Sequence, residues 1–122
     1  SNNTMQMSLD GTNPLATNTP PLANGTVSFA TGTVFGQETT NNTYVYAAKL
    51  DIIVTTNSSG VPTVNSTQKN ILRNNPPGQE TWNVVPRAIQ IGAAPYFTFQ
   101  VSSVTTSSTV KWVGILDLIV VT

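Results

Sequence analysis

The segment Leu50-Asp51-Ile52-Ile53-Val54-Thr55-Thr56 is nearly repeated later in the chain as Leu116-Asp117-Leu118-Ile119-Val120-Val121-Thr122. Five of the seven positions are identical, and the pair Ile52 and Leu118 is conservative. Both copies are rich in β-branched residues and are apolar at odd and at even positions. That pattern is typical of a strand whose two faces are both covered. The two copies therefore predict an all-β domain with two similar strands at its core.

The composition says more about the class of protein than about the reaction or ligand. The 122 residues are enough for one domain that buries about two-thirds of its unfolded surface. The chain has no cysteine and no histidine, which removes disulfides, thiolate ligands and imidazole bases. Five bases balance five acids, so no excess charge favours nucleic acid or an anionic membrane as a partner. The polar residues are mainly 20 Thr, 13 Asn and 10 Ser, as in many virion and extracellular β domains, and we expect a virion or extracellular location.

From residue 26 onward, alternating apolar residues and turn signals recur at a spacing of about ten residues. No segment has the period of a helix. Proline within a strand favours an edge or a bulge, which is the position predicted for Pro62 and Pro86. Seven or eight short strands with hairpin-length connections predict an antiparallel β-sandwich, jelly-roll-like in its topology. The six strands whose bounds the pattern defines are Thr26–Phe35, Tyr44–Thr55, Val61–Thr67, Trp82–Ile91, Tyr96–Thr105 and Val110–Val121.

Residues 1–25 differ from the rest of the chain and predict an extended N-terminal arm, followed by the β-sandwich domain at 26–122. The segment is rich in Asn, Thr, Ser and Pro, and Pro20-Pro21 fixes an extended backbone. One interpretation is a flexible arm without a fixed structure. The other is an arm that lies along a neighbouring subunit and adds to the edge of its sheet through main-chain hydrogen bonds.

Asp51 and Asp117 interrupt otherwise apolar strands. An unpaired buried carboxylate is costly, so each must reach solvent, a cation or hydrogen-bond donors. We expect cross-strand ion pairs, with a contact between subunits as the second interpretation. A catalytic carboxylate pair, as in glycoside hydrolysis, is the weakest interpretation, because neither residue lies in a loop or at a strand end. The candidate cationic partners are Lys49, Arg87 and Lys111.

The remaining candidate sites are few, and no catalytic, metal or cofactor site is expected. The aromatic residues could form a sugar-binding platform, but their alternating spacing within strands is more typical of a core: Tyr44, Tyr46, Trp82, Tyr96 and Trp112. Glycosylation sequons occur in the arm at Asn2 and at the four preferred candidates Asn24, Asn41, Asn57 and Asn65. Candidate subunit contacts are the apolar residues of the arm and the last strand, with its aspartate: Leu15, Leu22, Asp117, Ile119 and Val121.

Residues 26–122 resemble small bacteriophage virion proteins in their overall pattern. They form an Asn/Thr/Ser-rich β pattern that ends in an apolar strand. Capsid decoration (cement) proteins and head-fibre domains are the nearest kinds. The resemblance implies a jelly-roll-like domain, often trimeric, that stabilises a shell through arm and edge contacts. We therefore expect a non-enzymatic capsid decoration protein that forms a homo-oligomer and binds a major capsid lattice. The alternatives are a subunit of an extracellular filament assembled by strand donation from the arm, and a carbohydrate-binding receptor-recognition domain of a phage fibre that binds a surface glycan.

Overall fold

The computed structural model describes residues 2–8, 15, 17–39, 44–74, 82–104 and 110–121. These residues form seven strands and no helix, and hence no helix that could cross a membrane. The strands are β1 (Asn2–Gln6), β2 (Thr26–Glu38), β3 (Val45–Thr56), β4 (Pro62–Asn74), β5 (Asn83–Ile91), β6 (Ala94–Val104) and β7 (Val110–Val121).

The strands form two antiparallel sheets, which confirms the predicted all-β antiparallel class. One sheet has the order β1-β6-β5 and the other the order β4-β3-β2-β7. The strands that contain Pro62 and Pro86 both lie at a sheet edge, as predicted. The sheets pack face to face in a sandwich-like arrangement, since buried residues of both form one hydrophobic cluster. A jelly roll is not confirmed, because β2, β3 and β4 form a simple meander.

The core lies between the inner faces of the two sheets. In β3 the even-numbered residues are buried from Tyr46 to Thr56, as the alternation in the sequence predicts. Trp112 of β7 packs edge-on against Tyr46, with ring centroids 5.9 Å apart, and lies 6.0 Å from Trp82. The other large buried side chains include Val34, Leu50, Ile52, Val54, Val84, Phe97, Phe99 and Val101.

The inner face of β2 is lined by small residues because aromatic rings of neighbouring strands fill the space above it. A Cβ atom added at Gly32 would overlap the Phe99 ring. At Gly36 it would meet the Trp112 ring at 2.7 Å. Phe99 also makes an edge-to-face contact with Phe97, with ring centroids 5.3 Å apart. Gly32 therefore allows Phe99 of the opposite sheet to approach β2 closely, and Gly36 leaves room for the ring of Trp112 on the neighbouring strand β7.

The described residues of the 1–25 segment lie on their own chain, so an extended arm is not confirmed. β1 pairs with β6 from Asn2↔Val104 to Gln6↔Gln100. Further on, the Phe97 N–H donates to the Pro20 carbonyl oxygen at 3.0 Å, and the Leu22 N–H donates to the Pro95 oxygen at 3.0 Å. β1 is not predictable from the sequence pattern, because Asn-Asn-Thr-Met-Gln lacks apolar alternation.

β4 is longer than the sequence predicts. It continues beyond Thr67 to Asn74 and pairs with β3 along its length, with a bulge between Ile53 and Val54. The added residues are mostly polar, because β4 is an edge strand with exposed side chains. Their apolar alternation is therefore weak, and the residues resemble a loop in the sequence.

Candidate functional site: the outer face of the four-stranded sheet

The two copies of the repeated segment flank the same strand in the same register. Asp51 of β3 and Asp117 of β7 both pair with Thr31 of β2, and the leucine before each aspartate pairs with Gly32. β3 and β7 are both antiparallel to β2 and hence parallel to each other. One partner strand places the same packing demands on both neighbours, and this explains the similarity without a tandem duplication.

In the single chain only one face of these two strands is covered. The prediction that both faces are covered is therefore wrong for the single chain. The leucine side faces the core, whereas the aspartate side faces solvent. On that side Ile53 is 43 % exposed and Ile119 is 60 % exposed. We call the solvent-facing side chains of β4, β3, β2 and β7 the outer face.

The outer face carries an apolar cluster where the three strands β3, β2 and β7 run side by side. Phe29 lies between Ile53 and Ile119, and Val27 pairs with Val121 in the next row. A second apolar group follows at the other end of β2, where Phe35 pairs with Val113. Contiguous exposed apolar patches in soluble proteins are often interaction surfaces, which makes this cluster a candidate for one. The large exposed side chains are Val27, Phe29, Phe35, Ile53, Leu72, Val113, Ile115, Ile119 and Val121.

A polar depression of about 360 Å³ separates the two apolar groups. Thr31 forms its centre, and Asp51 and Asp117 stand on either side, two strand spacings or about 9.5 Å apart. The depression arises because threonine side chains are shorter than the neighbouring Phe and Ile side chains. Thr33, Lys49, Asn70 and Ile115 complete its lining.

The expected ion pairs of the two aspartates are not present among the described residues. Asp51 and Asp117 are exposed, and neither pairs with Lys49 or Lys111, while Arg87 donates from Nε to Gln100 Oε1 at 3.3 Å on the other sheet. The carboxylates reach water directly, so no cation is needed to offset burial. The described residues contain no group of three or more acidic, His or Cys side chains that could hold a metal ion.

The candidate subunit contacts are divided between surface and core. Asp117, Ile119 and Val121 lie together on the outer face, on edge strand β7. Leu15 is 55 % exposed, whereas Leu22 is 7 % exposed and belongs to the core of its own chain. Three of the five candidates therefore share one surface.

The aromatic candidates for a sugar platform lie in or against the core. Tyr46, Trp82 and Tyr96 are buried, and Tyr44 and Trp112 are partly buried against the same cluster. The core interpretation of their alternating spacing is confirmed.

Of the sequon residues, Asn24, Asn57 and Asn65 are exposed, and Asn41 lies outside the described residues. Asn57 Oδ1 accepts hydrogen bonds from the N–H groups of Ser59 and Val61 at 3.0 and 2.9 Å. Its side chain therefore helps to form the hairpin turn, in which Gly60 has a φ of 85° as the predicted turn requires.

Lys69 is a residue that sequence reasoning missed. Its Nζ donates to Asn83 Oδ1 at 2.7 Å and to the Val84 carbonyl oxygen at 3.0 Å, which joins β4 to β5 across the sandwich. Partial burial, and secondarily the charge of Arg73, lower the pKa of Lys69. No sequence signal distinguishes it from its polar neighbours, and its contacts indicate a structural role between the sheets.

A cleft of about 190 Å³ opens between the sheets beside β7. Its walls are mainly apolar and include Met7, Phe99, Leu116 and Leu118. The cleft exists because Leu116 and Leu118, which face inward from an edge strand, are only partly covered.

The chain matches no family model, no curated protein and no solved structure. The outer face and the β7 edge are therefore the features on which a functional argument depends. Both are suited to binding macromolecules, because the outer face carries two exposed apolar groups and the β7 edge presents main-chain groups that can pair with another strand.

Proposed function

We propose that the protein is a non-enzymatic virion structural protein, a capsid decoration (cement) protein that binds a protein shell through its outer face. The observation that carries the proposal is the row of exposed apolar side chains across β3, β2 and β7, centred on Phe29 between Ile53 and Ile119. Covering such a face is favourable, and contiguous exposed apolar patches are enriched at interaction sites.

The energetics of the outer face are consistent with docking on a lattice. Burying a large apolar side chain contributes roughly 1.5–3 kcal/mol when burial is complete. Burying several half-exposed ones contributes on the order of several kcal/mol, part of which offsets the cost of association. Many copies bound to one shell add their contributions, so a modest affinity per copy is sufficient to stabilise a particle.

The polar depression supplies specificity within this surface. Asp51 and Asp117 must remain solvated or meet donors on the partner, because burying an unpaired carboxylate is costly. A partner surface with basic or amide groups opposite Thr31 would satisfy both carboxylates. Partners that lack such groups would be rejected.

The two alternatives have less support from the described residues. A filament subunit would use its arm to complete the sheet of a neighbour, whereas β1 here pairs with β6 of its own chain. A glycan receptor would present the rings of the candidate Trp and Tyr residues to solvent, whereas Trp82 and Tyr46 are buried. The outer face therefore favours binding to a protein lattice.

The test is the thermal stability of empty capsids with and without the protein. We expect the protein to raise the capsid melting temperature, and we expect a Phe29→Ser, Ile53→Ser double variant to lose that effect while remaining folded. Val61→Ser is the matched control, because Val61 is similarly exposed (46 %) but lies in the β3–β4 turn. An unchanged capsid melting temperature with folded wild-type protein would refute the proposal.

A further inference from the structure

Among the described residues, β7 is the most apolar of the four edge strands β1, β4, β5 and β7. It pairs with β2 on one side, and on its other side no strand among the described residues pairs with it. An unpaired edge presents main-chain N–H and C=O groups that can pair with another strand. The edge strand β4 is polar over most of its length and β5 contains Pro86, but β7 has neither protection.

The two charges of β7 are placed symmetrically along it. Lys111 lies three residues before Gly114, and Asp117 lies three residues after it. Both side chains are exposed on the outer face, and neither has an ion-pair partner in the described part of the chain. Val113 and Ile115 are likewise symmetric about Gly114 and are exposed.

We propose that β7 pairs antiparallel with β7 of a second copy of this chain, with Gly114 opposite Gly114. In that register Lys111 lies opposite Asp117 of the second copy, and Asp117 lies opposite its Lys111. Val113 and Ile115 lie opposite each other in the same way. Directly opposed unlike charges and β-branched pairs both stabilise antiparallel strands.

The charge pattern selects this register among the possible ones. Successive residues of a strand direct their main-chain groups to opposite sides. Two copies of the same edge can therefore form their hydrogen bonds only in registers separated by steps of two residues. A shift by one such step places Lys111 opposite Ile115 or Ile119 and leaves both charges without a partner. The pairing centred on Gly114 is thus the only one that satisfies both charges.

The interface has a two-fold axis, because two identical strands are antiparallel. The two four-stranded sheets become one sheet of eight strands, and the two outer faces lie on the same side of it. Leu116 and Leu118, which are only partly covered in the single chain, gain cover at the new junction. The product proposed here is a dimer, whereas the resemblance to virion proteins implies a trimer.

The inference goes beyond the proposed function, which concerns binding to a shell, and rests on it only for its biological setting. It concerns the edge of β7, whereas capsid binding concerns the outer face of each copy. A failure of one can therefore be distinguished from a failure of the other, since oligomeric state is measured without a capsid.

The experiment measures the mass of the purified full chain by sedimentation equilibrium over a range of concentrations. We expect a dimer of twice the 13.0 kDa chain mass. Lys111→Glu and Asp117→Lys each place like charges opposite one another at both ends of the interface, and each is expected to raise the dissociation constant about tenfold or more. The double variant Lys111→Glu, Asp117→Lys restores unlike pairs and is expected to restore the dimer.

The repeated segment provides matched controls. Asp51→Lys and Lys49→Glu introduce the same charge changes on the same face, but in the interior strand β3. We expect both to dimerise as the wild type does, and circular dichroism verifies that every variant is folded. A monomer at the highest concentration would overturn the proposal, as would a dimer that the single charge reversals leave unchanged or that the double variant fails to restore.

Discussion

Asp51 and Asp117 lie directly opposite the same residue, Thr31, on the two sides of β2. The main-chain groups of Thr31 point to only one of its two neighbours, because an antiparallel strand alternates the side to which it hydrogen-bonds. The two aspartates therefore lie in the same row of the sheet, but only one of them exchanges main-chain hydrogen bonds with Thr31. Asp51 belongs to the interior strand β3 and Asp117 to the edge strand β7, so only Asp117 lies on a strand with an unpaired edge among the described residues.

The first prediction compares the two leucines of the repeated segment. Leu50 is 2 % exposed within the core, whereas Leu116 is partly exposed beside the cleft. Leu50→Ala is expected to lower the free energy of unfolding by about 2–5 kcal/mol, because it leaves a cavity. Leu116→Ala is expected to cost clearly less. Urea denaturation at concentrations where the chain is monomeric measures both, and equal losses would contradict the unequal burial.

The second prediction concerns the close approach of Gly32 to Phe99. Gly32→Ala places a Cβ atom within the volume of the Phe99 ring, and we expect a loss of about 1–3 kcal/mol from overpacking. Gly114→Ala is the matched control, since its Cβ meets the flexible end of Met7 at 3.2 Å. Thermal unfolding measures both variants.

A smaller ring-free side chain at position 99 tests the cause of that loss. In a Phe99→Leu background the added Cβ of Gly32→Ala has room, so its further cost is expected to fall below its cost in the wild type. If the two substitutions were simply additive, overpacking against Phe99 would not be the cause.

The third prediction concerns alkaline pH. Burial raises the pKa of Tyr46, an effect that the nearby Arg73 partly offsets, and the Tyr46 hydroxyl faces the main chain of Val84 without a well-formed hydrogen bond. Above pH 10 the unfolded chain loses the Tyr46 proton and the folded chain retains it. Stability is therefore expected to fall as the pH rises from 10 toward the raised pKa, by at most about 1.4 kcal/mol per pH unit from this residue.

Tyr46→Phe separates this contribution from the others. The variant is expected to be as stable as the wild type at neutral pH, because it removes a buried hydroxyl that has no partner. Its advantage over the wild type is expected to grow above pH 10. Denaturation curves at pH 7, 9 and 11 measure the difference, and a constant difference across that range would exclude Tyr46 as a source of alkaline instability.

The sequence predicted those parts of the fold that follow from apolar alternation. β3 shows its even-numbered residues inward as predicted, and Pro62 and Pro86 mark edge strands. β1 was missed because it is a polar strand held by main-chain pairing with β6. Such pairing leaves little trace in side-chain pattern.

The candidate site was predicted only in part. The apolar character of both faces of β7 was visible in the sequence, but its edge position depends on the order of strands in the sheet. The ion pairs expected for Asp51 and Asp117 are absent from the described residues because both carboxylates face water. Lys69 gave no signal because its partners, Asn83 and Val84, come from another sheet.

The distance along the chain between β2 and β7 has a kinetic consequence. Four strands are made between them, and closing such a long loop is slow compared with forming the β2–β3 hairpin. While β7 has not yet paired with β2 of its own chain, the edge of β2 can accept β7 from another chain. That strand has an identical sequence and can pair in the same register. Concentrated refolding is therefore expected to yield domain-swapped dimers in addition to chains that have closed on themselves.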